Sequence, residues 1–337
     1  MWRFWFNDQG DGDQNRCIRG LAGVRETPMN PFLSVVMPVY NGERFIAAAL
    51  ESVRGQQEGI ELIIVDDGSS DGTLDIVRDF AKDLPIRLMT PGRIGNWVGV
   101  TNIGLREAKG DWACLLHQDD LWVPGRIARL RVEVERAKGA LVLHNSIFVD
   151  PDGRKLGPWT CPLPEGDVPS EQFIERLLIQ NFVAIPSPIF RRNAVLGSGG
   201  LDEDLWFTAD WDLWLRLGAL GPVRFIAETL AAFRVHPASL TVARKLLPNE
   251  WEQQLTAVTD RHLQNWAVTG KLRASVEQAA AASIAVNSAL AAALRGEPVE
   301  YSSVLFRLLA LGPSGWHRYL RDSRIVQRVR SRLKAQS

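Results

Sequence analysis

Two pairs of adjacent carboxylates stand directly after apolar stretches that are typical of buried strands. Asp66 and Asp67 follow one such stretch, and Asp119 and Asp120 follow another. Because ligands of an open α/β sheet collect beyond the carboxyl ends of its strands, both pairs are candidates for a binding site. Paired aspartates suit a hard divalent cation that also holds phosphate oxygens. Each pair taken alone also fits a cap on the turn or helix that follows it.

Asp210 and His236 add two more groups that could do chemistry. Asp210 lies in the first turn of a predicted helix, where a carboxylate caps backbone amides and is close to the positive end of the helix. Capping and catalysis are both open for it. His236 ends an apolar stretch just before Pro237, and a histidine in that setting is more often structural than a ligand.

The strands and helices that would position these groups alternate along the first part of the chain. Runs of β-branched and apolar residues predict the strands, and apolar residues at helical spacing predict the helices between them. The alternation implies right-handed crossovers and a parallel sheet, whose strand tips meet at one edge. Tyr40, Asp67 and Asp119 are therefore expected to line one crevice. The predicted strands are residues 33–37, 60–65, 86–89 and 112–116.

Later segments are expected to cover or extend this sheet. The helix predicted after Pro124 carries Arg126 and Glu133 among charges that we interpret as a solvated face without chemistry. Residues 157–169 are rich in proline and glycine and predict a surface loop that covers the crevice. From Glu250 onward apolar residues recur at helical spacing, which predicts a helical C-terminal region.

Composition argues against several classes of protein. The 337 residues carry 39 basic and 39 acidic side chains, which disfavours a protein that binds nucleic acid through bulk charge. Three widely spaced cysteines fit neither a disulfide framework nor a metal-binding spacing and favour a cytoplasmic protein. Residues 279–294 are mostly alanine with polar residues between, which is typical of a buried helix rather than a membrane span.

Three regions are expected along the chain. Residues 1–30 lack the apolar core and cleavage site of a signal peptide, so we expect a disordered leader with Met29 as the natural start. Residues 31–245 are expected to form the α/β domain and residues 246–337 the helical region. After residue 311 the tail carries seven Arg or Lys against one Asp. It either lies on an anionic membrane surface or forms a solvated terminal helix, and its narrow apolar stripe favours the latter.

Four segments together resemble the family 2 glycosyltransferases. They occur in the order typical of that family and extend roughly over residues 33–241. The resemblance implies the GT-A fold, an α/β domain whose mostly parallel sheet is flanked by helices, here followed by a C-terminal helical appendage. The segments are SVVMPVYN at 34–41, VDDGSSDGT at 65–73, QDDLWVP at 118–124 and DWDLWLR at 210–216.

Roles for several residues follow from this resemblance. Pro38, Tyr40 and Asp67 would hold the base of a nucleotide diphosphate sugar, with Asp67 accepting a hydrogen bond from the ring N–H. Asp119 lies in a segment that resembles the family's DxD site and would bind a divalent cation, Mn²⁺ or Mg²⁺, between the two phosphates. Asp120 would assist that cation or hold the ribose.

Two positions depart from the family pattern. His117 stands where many members have the first Asp of DxD, so metal binding rests on fewer carboxylates and can draw on His236. The Arg-x-His-x-x-Ser setting of His236 resembles a late family motif. Asp210 occupies the position of the catalytic base, and the Glu that usually precedes it is Ala209 here. That change weakens a secondary contact and leaves the base in place.

The function implied by the resemblance is that of an inverting transferase. A cation between the phosphates stabilises the departing diphosphate while a carboxylate deprotonates the attacking hydroxyl. UDP is the favoured carrier. The acceptor is expected to be a glycan or a lipid-linked molecule in polysaccharide or O-antigen synthesis, at the inner face of the membrane.

Other functions were weighed against this one. A sugar nucleotidyltransferase would need a Gly-rich phosphate loop with Arg after the first strand, where this chain has PVYNG at 38–42. The same segment disfavours a dinucleotide-dependent dehydrogenase, because no G-x-G-x-x-G follows the strand. A non-catalytic nucleotide-sugar binding protein stays open because of His117 and Ala209.

Overall fold

A computed structural model describes residues 30–236 and 250–336 of the chain. The predicted leader, apart from Asn30, lies outside the described residues, as does the predicted start at Met29. Within the described part, strands and helices alternate through the first half of the chain, as predicted, and helices alone follow Glu250.

Ten strands of the described part form one mixed sheet. They are β1 Leu33–Val39, β2 Ile60–Asp66, β3 Ile86–Met89, β4 Trp112–Leu115, β5 Leu121–Trp122, β6 Leu141–Val149, β7 Lys155–Trp159, β8 Gly166–Val168, β9 Ile189–Arg191 and β10 Val223–Arg234. Their order is β3-β2-β1-β4-β9-β6-β10-β5, with β7 beside β6 and β8 beside β10. Pairing is parallel from β3 to β4 and between β6 and β10, and antiparallel elsewhere. The predicted α/β class is correct, and the parallel pairing is concentrated in the first four strands.

Helices pack around this sheet and follow it. Those of the first described range are α1 Ile46–Val53, α2 Thr73–Phe80, α3 Trp97–Glu107, α4 Arg126–Arg136, α5 Ser170–Leu177, α6 Arg192–Gly197 and α7 Ala209–Gly218. Those of the second range are α8 Glu250–Gln264, α9 Gly270–Arg295, α10 Tyr301–Ala310, α11 Gly312–Ser323 and α12 Ile325–Gln336. None of these helices combines the length and the apolar character that crossing a bilayer requires.

Alternation along β1 divides the core into two layers. Val35 and Met37 belong to a buried cluster with Ile46 of α1, whereas Val36 belongs to the cluster on the other face. Successive side chains of a strand point to opposite faces, and here both faces are covered, so the strand is apolar throughout. A Cβ at Gly104 of α3 would lie 2.5 Å from Cγ1 of Val36, so this close approach of helix and sheet requires glycine.

The register of the parallel strands brings their tips to one edge. Val39 of β1 lies opposite Asp66 of β2, and Val36 lies opposite Leu115 of β4. Just beyond the strands, the N–H of Asp67 donates to the carbonyl oxygen of Val39 at 2.8 Å. The two carboxylate pairs therefore emerge at the same edge of the sheet, as the sequence predicted.

The Pro- and Gly-rich segment differs from its predicted form. Residues 157–169 were expected to be a surface loop, but they contribute to β7 and β8. Pro158 is tolerated because β7 pairs with β6 and with no other described strand, so the missing N–H does not interrupt a ladder between two neighbours. The segment is thus held at the margin of the sheet.

The prediction that the charged side chains of α4 form a solvated face is wrong for two of them. Arg126 is 0% exposed, and its guanidinium contacts Nε2 of His144 and donates to the carbonyl oxygen of Ser187 at 3.5 Å. Glu133 is 1% exposed and accepts from Nε of Arg224 at 2.6 Å. Helical spacing gave no sign of this, because His144, Ser187 and Arg224 lie outside the helix.

Asp212 of α7 joins the sheet region to the C-terminal helices. Its fully buried carboxylate accepts from Nε of Arg216 at 2.8 Å and from a guanidinium nitrogen of Arg261 at 3.0 Å, and Nε2 of His262 lies 2.9 Å away. Burial raises the pKa of Asp212, but the hydrogen bond with His262 and the charge of Arg216 outweigh burial and lower it to about 2. The ionised carboxylate therefore holds α8 against α7.

We expect Asp212→Asn to reduce the free energy of unfolding at pH 7 by about 2–4 kcal/mol, because Arg216 and Arg261 lose a buried negative charge. A carboxyl group whose pKa is lowered in the folded state stabilises the protein at pH values above its ordinary pKa of 3.8. This contribution is lost as the pH falls toward 2. The difference between the variant and the wild type should therefore be smaller at pH 3 than at pH 7. Urea denaturation at both values measures it.

Asp260→Asn is the matched control for this prediction, since Asp260 is an exposed carboxylate of α8. An equal loss of stability in the two variants would contradict the special role of Asp212.

Candidate active site

The turn that follows β4 carries three side chains with metal-binding atoms. His117, Asp119 and Asp120 each offer one such atom, and these atoms lie within 4.8 Å of one another. The N–H of Asp120 donates to the carbonyl oxygen of His117 at 3.1 Å and closes the turn. Nε2 of His117 and Oδ2 of Asp120 are buried without a hydrogen-bond partner. Two unsatisfied buried atoms at one place indicate a group that they would bind.

The end of β10 returns to this turn, which we call the carboxylate turn (117–120), and fixes it. The N–H of Arg234 donates to Oδ1 of Asp120 at 3.0 Å, and its Nε donates to the carbonyl oxygen of Asp119 at 2.8 Å. Nε2 of His236 lies 2.9 Å from Oδ2 of Asp119. His236, which the resemblance gave as a metal ligand, is thus in contact with Asp119, and the group of three metal-binding atoms takes its nitrogen from His117.

The two adjacent carboxyl groups differ in acidity. Burial raises the pKa of Asp119, but its hydrogen bond with His236 and the charges of His117 and His236 bring that pKa below the ordinary value. Burial and the negative charge of Asp119 raise the pKa of Asp120 well above its ordinary value, although Arg234 opposes this. Burial also lowers the pKa of His117. Asp119 therefore carries the negative charge of the pair more readily than Asp120.

Tyr40 and Asp67 meet at the tips of β1 and β2, as predicted, and Arg93 lies against both. Asp67 is 5% exposed and accepts from the N–H of Ile94 and from the N–H of Gly95 at 3.0 Å. The guanidinium of Arg93 pairs with Asp67, and its Cζ lies 3.6 Å from the centre of the Tyr40 ring. Tyr40 is still 42% exposed, so part of its ring faces solvent.

Gln118 connects Tyr40 with the carboxylate turn. Its Oε1 accepts from the N–H of Tyr40 at 2.9 Å, and its Nε2 donates to the carbonyl oxygen of the same residue at 3.0 Å. A Cβ at Gly42 would lie 2.5 Å from that Oε1, so the link requires glycine there. Pro38 is buried within β1 opposite Val65, where it shapes the strand that leads to Tyr40.

Asp210 stands at the N-terminal end of α7, as predicted. Its Oδ2 accepts from Nδ2 of Asn181 at 3.1 Å, and its Oδ1 accepts from the N–H of Trp211 at 2.8 Å. Burial raises the pKa of Asp210 to about 6, although both hydrogen bonds lower it. A carboxylate with such a pKa is suited to accept a proton near neutral pH.

Some side chains of this region had no predicted role. The ring of Trp97 packs edge-on against His117 with centroids 5.2 Å apart, and its Nε1 donates to the carbonyl oxygen of Trp206 at 2.6 Å. Trp97 thereby ties the carboxylate turn to the segment that leads into α7. Arg93 lies between Gly92 and Gly95, which both have positive φ. Two glycines so close together indicate a tight loop, and this signal was visible in the sequence. The contact of Asn181 with α7 left no such signal.

Comparisons with known proteins agree with this geometry. Residues 34–193 match the family model described as Glycosyl transferase family 2. An uncharacterized glycosyltransferase of Rickettsia typhi is 28% identical over 235 residues, which cover 65% of this chain and 68% of that protein. The succinoglycan biosynthesis protein ExoO of Rhizobium meliloti is 28% identical over 251 residues, 71% of this chain and 70% of that protein. The crystal structure of S. aureus TarS 1–349 in complex with UDP-GlcNAc has a TM-score of 0.62 at 17% identity, and the match covers 90% of this chain and 89% of that one.

A helix-flanked sheet with carboxylates at its strand tips, and its likeness to TarS, define the GT-A fold. The family match and the curated relatives narrow this class. Residues 34–193 match glycosyltransferase family 2, as the motifs predicted, and this match together with the curated relatives supports an enzyme that transfers glycosyl groups. The alternative that the protein is a sugar nucleotidyltransferase is therefore disfavoured.

We expect Asp67→Asn to loosen residues 92–96, because the carboxylate accepts two backbone N–H groups there and pairs with Arg93. Hydrogen bonds to a charged group contribute about 1.5–3 kcal/mol each, so amide exchange of Ile94 and Gly95 should accelerate roughly tenfold or more. Hydrogen exchange followed by mass spectrometry of a peptide that spans these residues measures the change.

Asp75→Asn serves as the control, because the Asp75 carboxylate pairs with Arg78 on an exposed surface of α2. Unchanged exchange at residues 94 and 95 in Asp67→Asn would show that the carboxylate does not hold this loop.

Proposed function

We propose that this enzyme transfers a sugar from a UDP carrier to a hydroxyl of a glycan or lipid-linked acceptor, with inversion at the anomeric carbon. The observation that carries the proposal is the connection along one edge of the sheet. Asp67 and Tyr40 lie on one side, Gln118 forms the link, and Asp119 and Asp120 lie on the other. A nucleotide diphosphate has the same layout, with a base at one end and two phosphates at the other.

The base is assigned to the side of Tyr40. The exposed part of its ring offers a stacking face, and Asp67 offers carboxylate oxygens to a ring N–H. Pro38 sets the path of the strand toward this place. Arg93 now lies on Tyr40 and pairs with Asp67, so a base that binds there displaces Arg93 or stacks beside it. The UDP-GlcNAc complex of TarS supports uracil as the base.

A divalent cation, Mn²⁺ or Mg²⁺, fits the carboxylate turn. The fit rests on the buried and unpartnered Oδ2 of Asp120 beside the ionised carboxylate of Asp119. Asp119 would hold the cation with help from Asp120, and His236 is in contact with Asp119. When bound, the cation offsets the negative charge that develops on the departing diphosphate.

Asp210 is assigned the role of the base. It takes the proton of the acceptor hydroxyl while that oxygen forms a bond to the anomeric carbon. The bond from the anomeric carbon to the diphosphate oxygen breaks, and its electron pair leaves with the diphosphate. One displacement of this kind inverts the configuration. Asn181 orients the carboxylate through its hydrogen bond.

The two parts of the chain are assigned different tasks. We assign donor binding and catalysis to residues 31–245 and acceptor-side contacts to residues 246–337. Asp212 supports this division, since its contacts with α8 fix the helical region beside the helix that carries Asp210. The name of ExoO, a succinoglycan biosynthesis protein, supports an acceptor in polysaccharide synthesis.

We expect Asp210→Asn to lower kcat by about 10²- to 10⁴-fold, because an amide cannot take the hydroxyl proton. Affinity for UDP should change little, since Asp210 is assigned to the acceptor. Release of UDP from a UDP-sugar measures turnover, and calorimetry with UDP measures binding. Asp204→Asn, on an exposed carboxylate of the preceding segment, is the matched control.

The pH profile tests the same assignment. The base acts when deprotonated, so kcat/KM should rise with pH around an apparent pKa of about 6. A wild type that binds UDP and releases none from any UDP-sugar would favour the non-catalytic binding protein. Full turnover in Asp210→Asn would remove Asp210 from the mechanism.

We also propose that the enzyme works at the inner face of the membrane and contacts it through its C-terminal helices. The terminal helix α12 packs on β7, and Gln327 bonds Thr160, so its apolar stripe is partly used within the protein. Helix α10 is more suitable, since it has no buried residue and exposes four large apolar side chains, Tyr301, Leu305, Phe306 and Leu309. Residues 301–337 carry eight Arg or Lys against one Asp, which complements anionic lipid.

We expect the double variant Leu305→Ser/Phe306→Ser to bind vesicles of phosphatidylglycerol and phosphatidylcholine at least tenfold more weakly, since burial of each side chain contributes about 1.5–3 kcal/mol. Co-sedimentation measures this. Val132→Ser/Leu220→Ser, which removes two exposed apolar side chains elsewhere, is the control. Equal vesicle binding by both variants contradicts the proposal. It is also contradicted if the wild type forms a dimer without vesicles and Leu305→Ser/Phe306→Ser abolishes that dimer.

A further inference from the structure

One of the three donors in the carboxylate turn is a nitrogen atom. We propose that His117 is a direct metal ligand and makes this site prefer divalent transition-metal ions such as Mn²⁺ and Co²⁺ over Mg²⁺. This inference rests on the metal part of the proposed function. It concerns the one nitrogen donor of the group, whose other two donors are carboxylate oxygens.

The surroundings of His117 leave its ring nitrogen available. Nε2 is buried and has no hydrogen-bond partner, and the imidazole ring is in T-shaped contact with the ring of Trp97. A buried polar atom without a partner costs about 1–3 kcal/mol, so its persistence needs an explanation. Oδ2 of Asp120, on a side chain that is 1% exposed, is unpartnered in the same way. A cation held by both side chains would satisfy both atoms.

His236 is arranged differently, although it lies close to the same carboxylate. Its Nε2 is engaged with Oδ2 of Asp119 at 2.9 Å, and its ring packs against Phe45 at 4.5 Å, while its Nδ1, at a different corner of the ring, is buried without a partner. A ring nitrogen bonded to the carboxylate of a ligand orients that ligand and does not itself face the ion. The geometry therefore assigns His117 to the metal and His236 to the positioning of Asp119.

Donor chemistry gives the expected preference. Mg²⁺ binds oxygen donors in a strict octahedron and loses its water reluctantly, whereas imidazole suits the later transition-metal ions, and Mn²⁺ lies between these two groups in its affinity for nitrogen. Replacing one carboxylate by a neutral imidazole also removes a negative charge that Mg²⁺ binding depends on. Both effects disfavour Mg²⁺ at this site more than they disfavour Mn²⁺.

Mn²⁺ bound to the full-length protein tests the assignment directly. Electron spin echo spectroscopy should detect coupling of Mn²⁺ to an imidazole nitrogen in the wild type and in His236→Gln, but not in His117→Asp or His117→Ala. In titrations with Mn²⁺ alone and Mg²⁺ alone, His117→Asp should lower the preference for Mn²⁺ by about tenfold or more. His317→Gln, on an exposed histidine of α11, should behave as the wild type does.

Several outcomes would overturn the inference. Mn²⁺ bound by the wild type without nitrogen coupling removes His117 from the metal and leaves the metal part of the proposed function standing. Coupling that survives in His117→Ala and disappears in His236→Gln assigns the ligand to His236. An unchanged preference in His117→Asp, with both metals bound, removes the role in selectivity. Absence of Mn²⁺ binding in every form, with UDP still bound, overturns both this inference and the metal assignment, whereas the base assignment depends on Asp210→Asn alone.

Discussion

Arg234 stabilises the buried carboxylate turn. Two adjacent aspartates in a largely buried turn repel each other, and each loses hydration that water would supply. Arg234, itself 2% exposed, bonds Asp120 through its N–H and the backbone of Asp119 through its side chain. Its Nη1 donates to the carbonyl oxygens of Asp150 and Pro151. Arg234 thus links the carboxylate turn to β10 and to the hairpin after β6.

The topology of the sheet follows from what the turn requires. The parallel half delivers the carboxylates to one edge through short crossovers, which is a local task along the sequence. Strand β10 comes from a distant part of the chain and pairs parallel with β6 and antiparallel with β5. That pairing brings Arg234 and His236 beside residues more than a hundred positions earlier. The parallel half supplies the negative charge and the later half supplies the groups that compensate it.

The sequence was a good guide where a single local pattern decided the structure. The strands that end at Asp66 and Leu115 and the helix that begins at Ala209 were found within a few residues, because apolar periodicity and chain direction determine them. Tyr40, Asp67 and Asp119 could be placed at one edge for the same reason. Residue roles within that site remain expectations from the family, since periodicity carries no information about them.

What the sequence did not predict depends on partners that are remote along the chain. Arg126 and Glu133 have the spacing of a solvated face and are nevertheless buried, because His144 and Arg224 meet them from other strands. His117 was interpreted as a lost carboxylate, and its place in the metal-capable group became visible only with the turn folded. The contacts of Arg93 depend on how a glycine-rich loop folds over Asp67, and only its flanking glycines pointed to that loop.

The amide of Gln118 has a thermodynamic consequence. It bonds both the N–H and the carbonyl oxygen of Tyr40, and it belongs to the same turn as Asp119 and Asp120. A shift of Tyr40 is therefore coupled to a shift of the carboxylate turn. To the extent that a ligand at Tyr40 moves this residue, it changes the affinity of the carboxylate turn, and linkage requires the reverse effect to be equal. For the proposed nucleotide diphosphate, binding at one end would therefore change the affinity at the other.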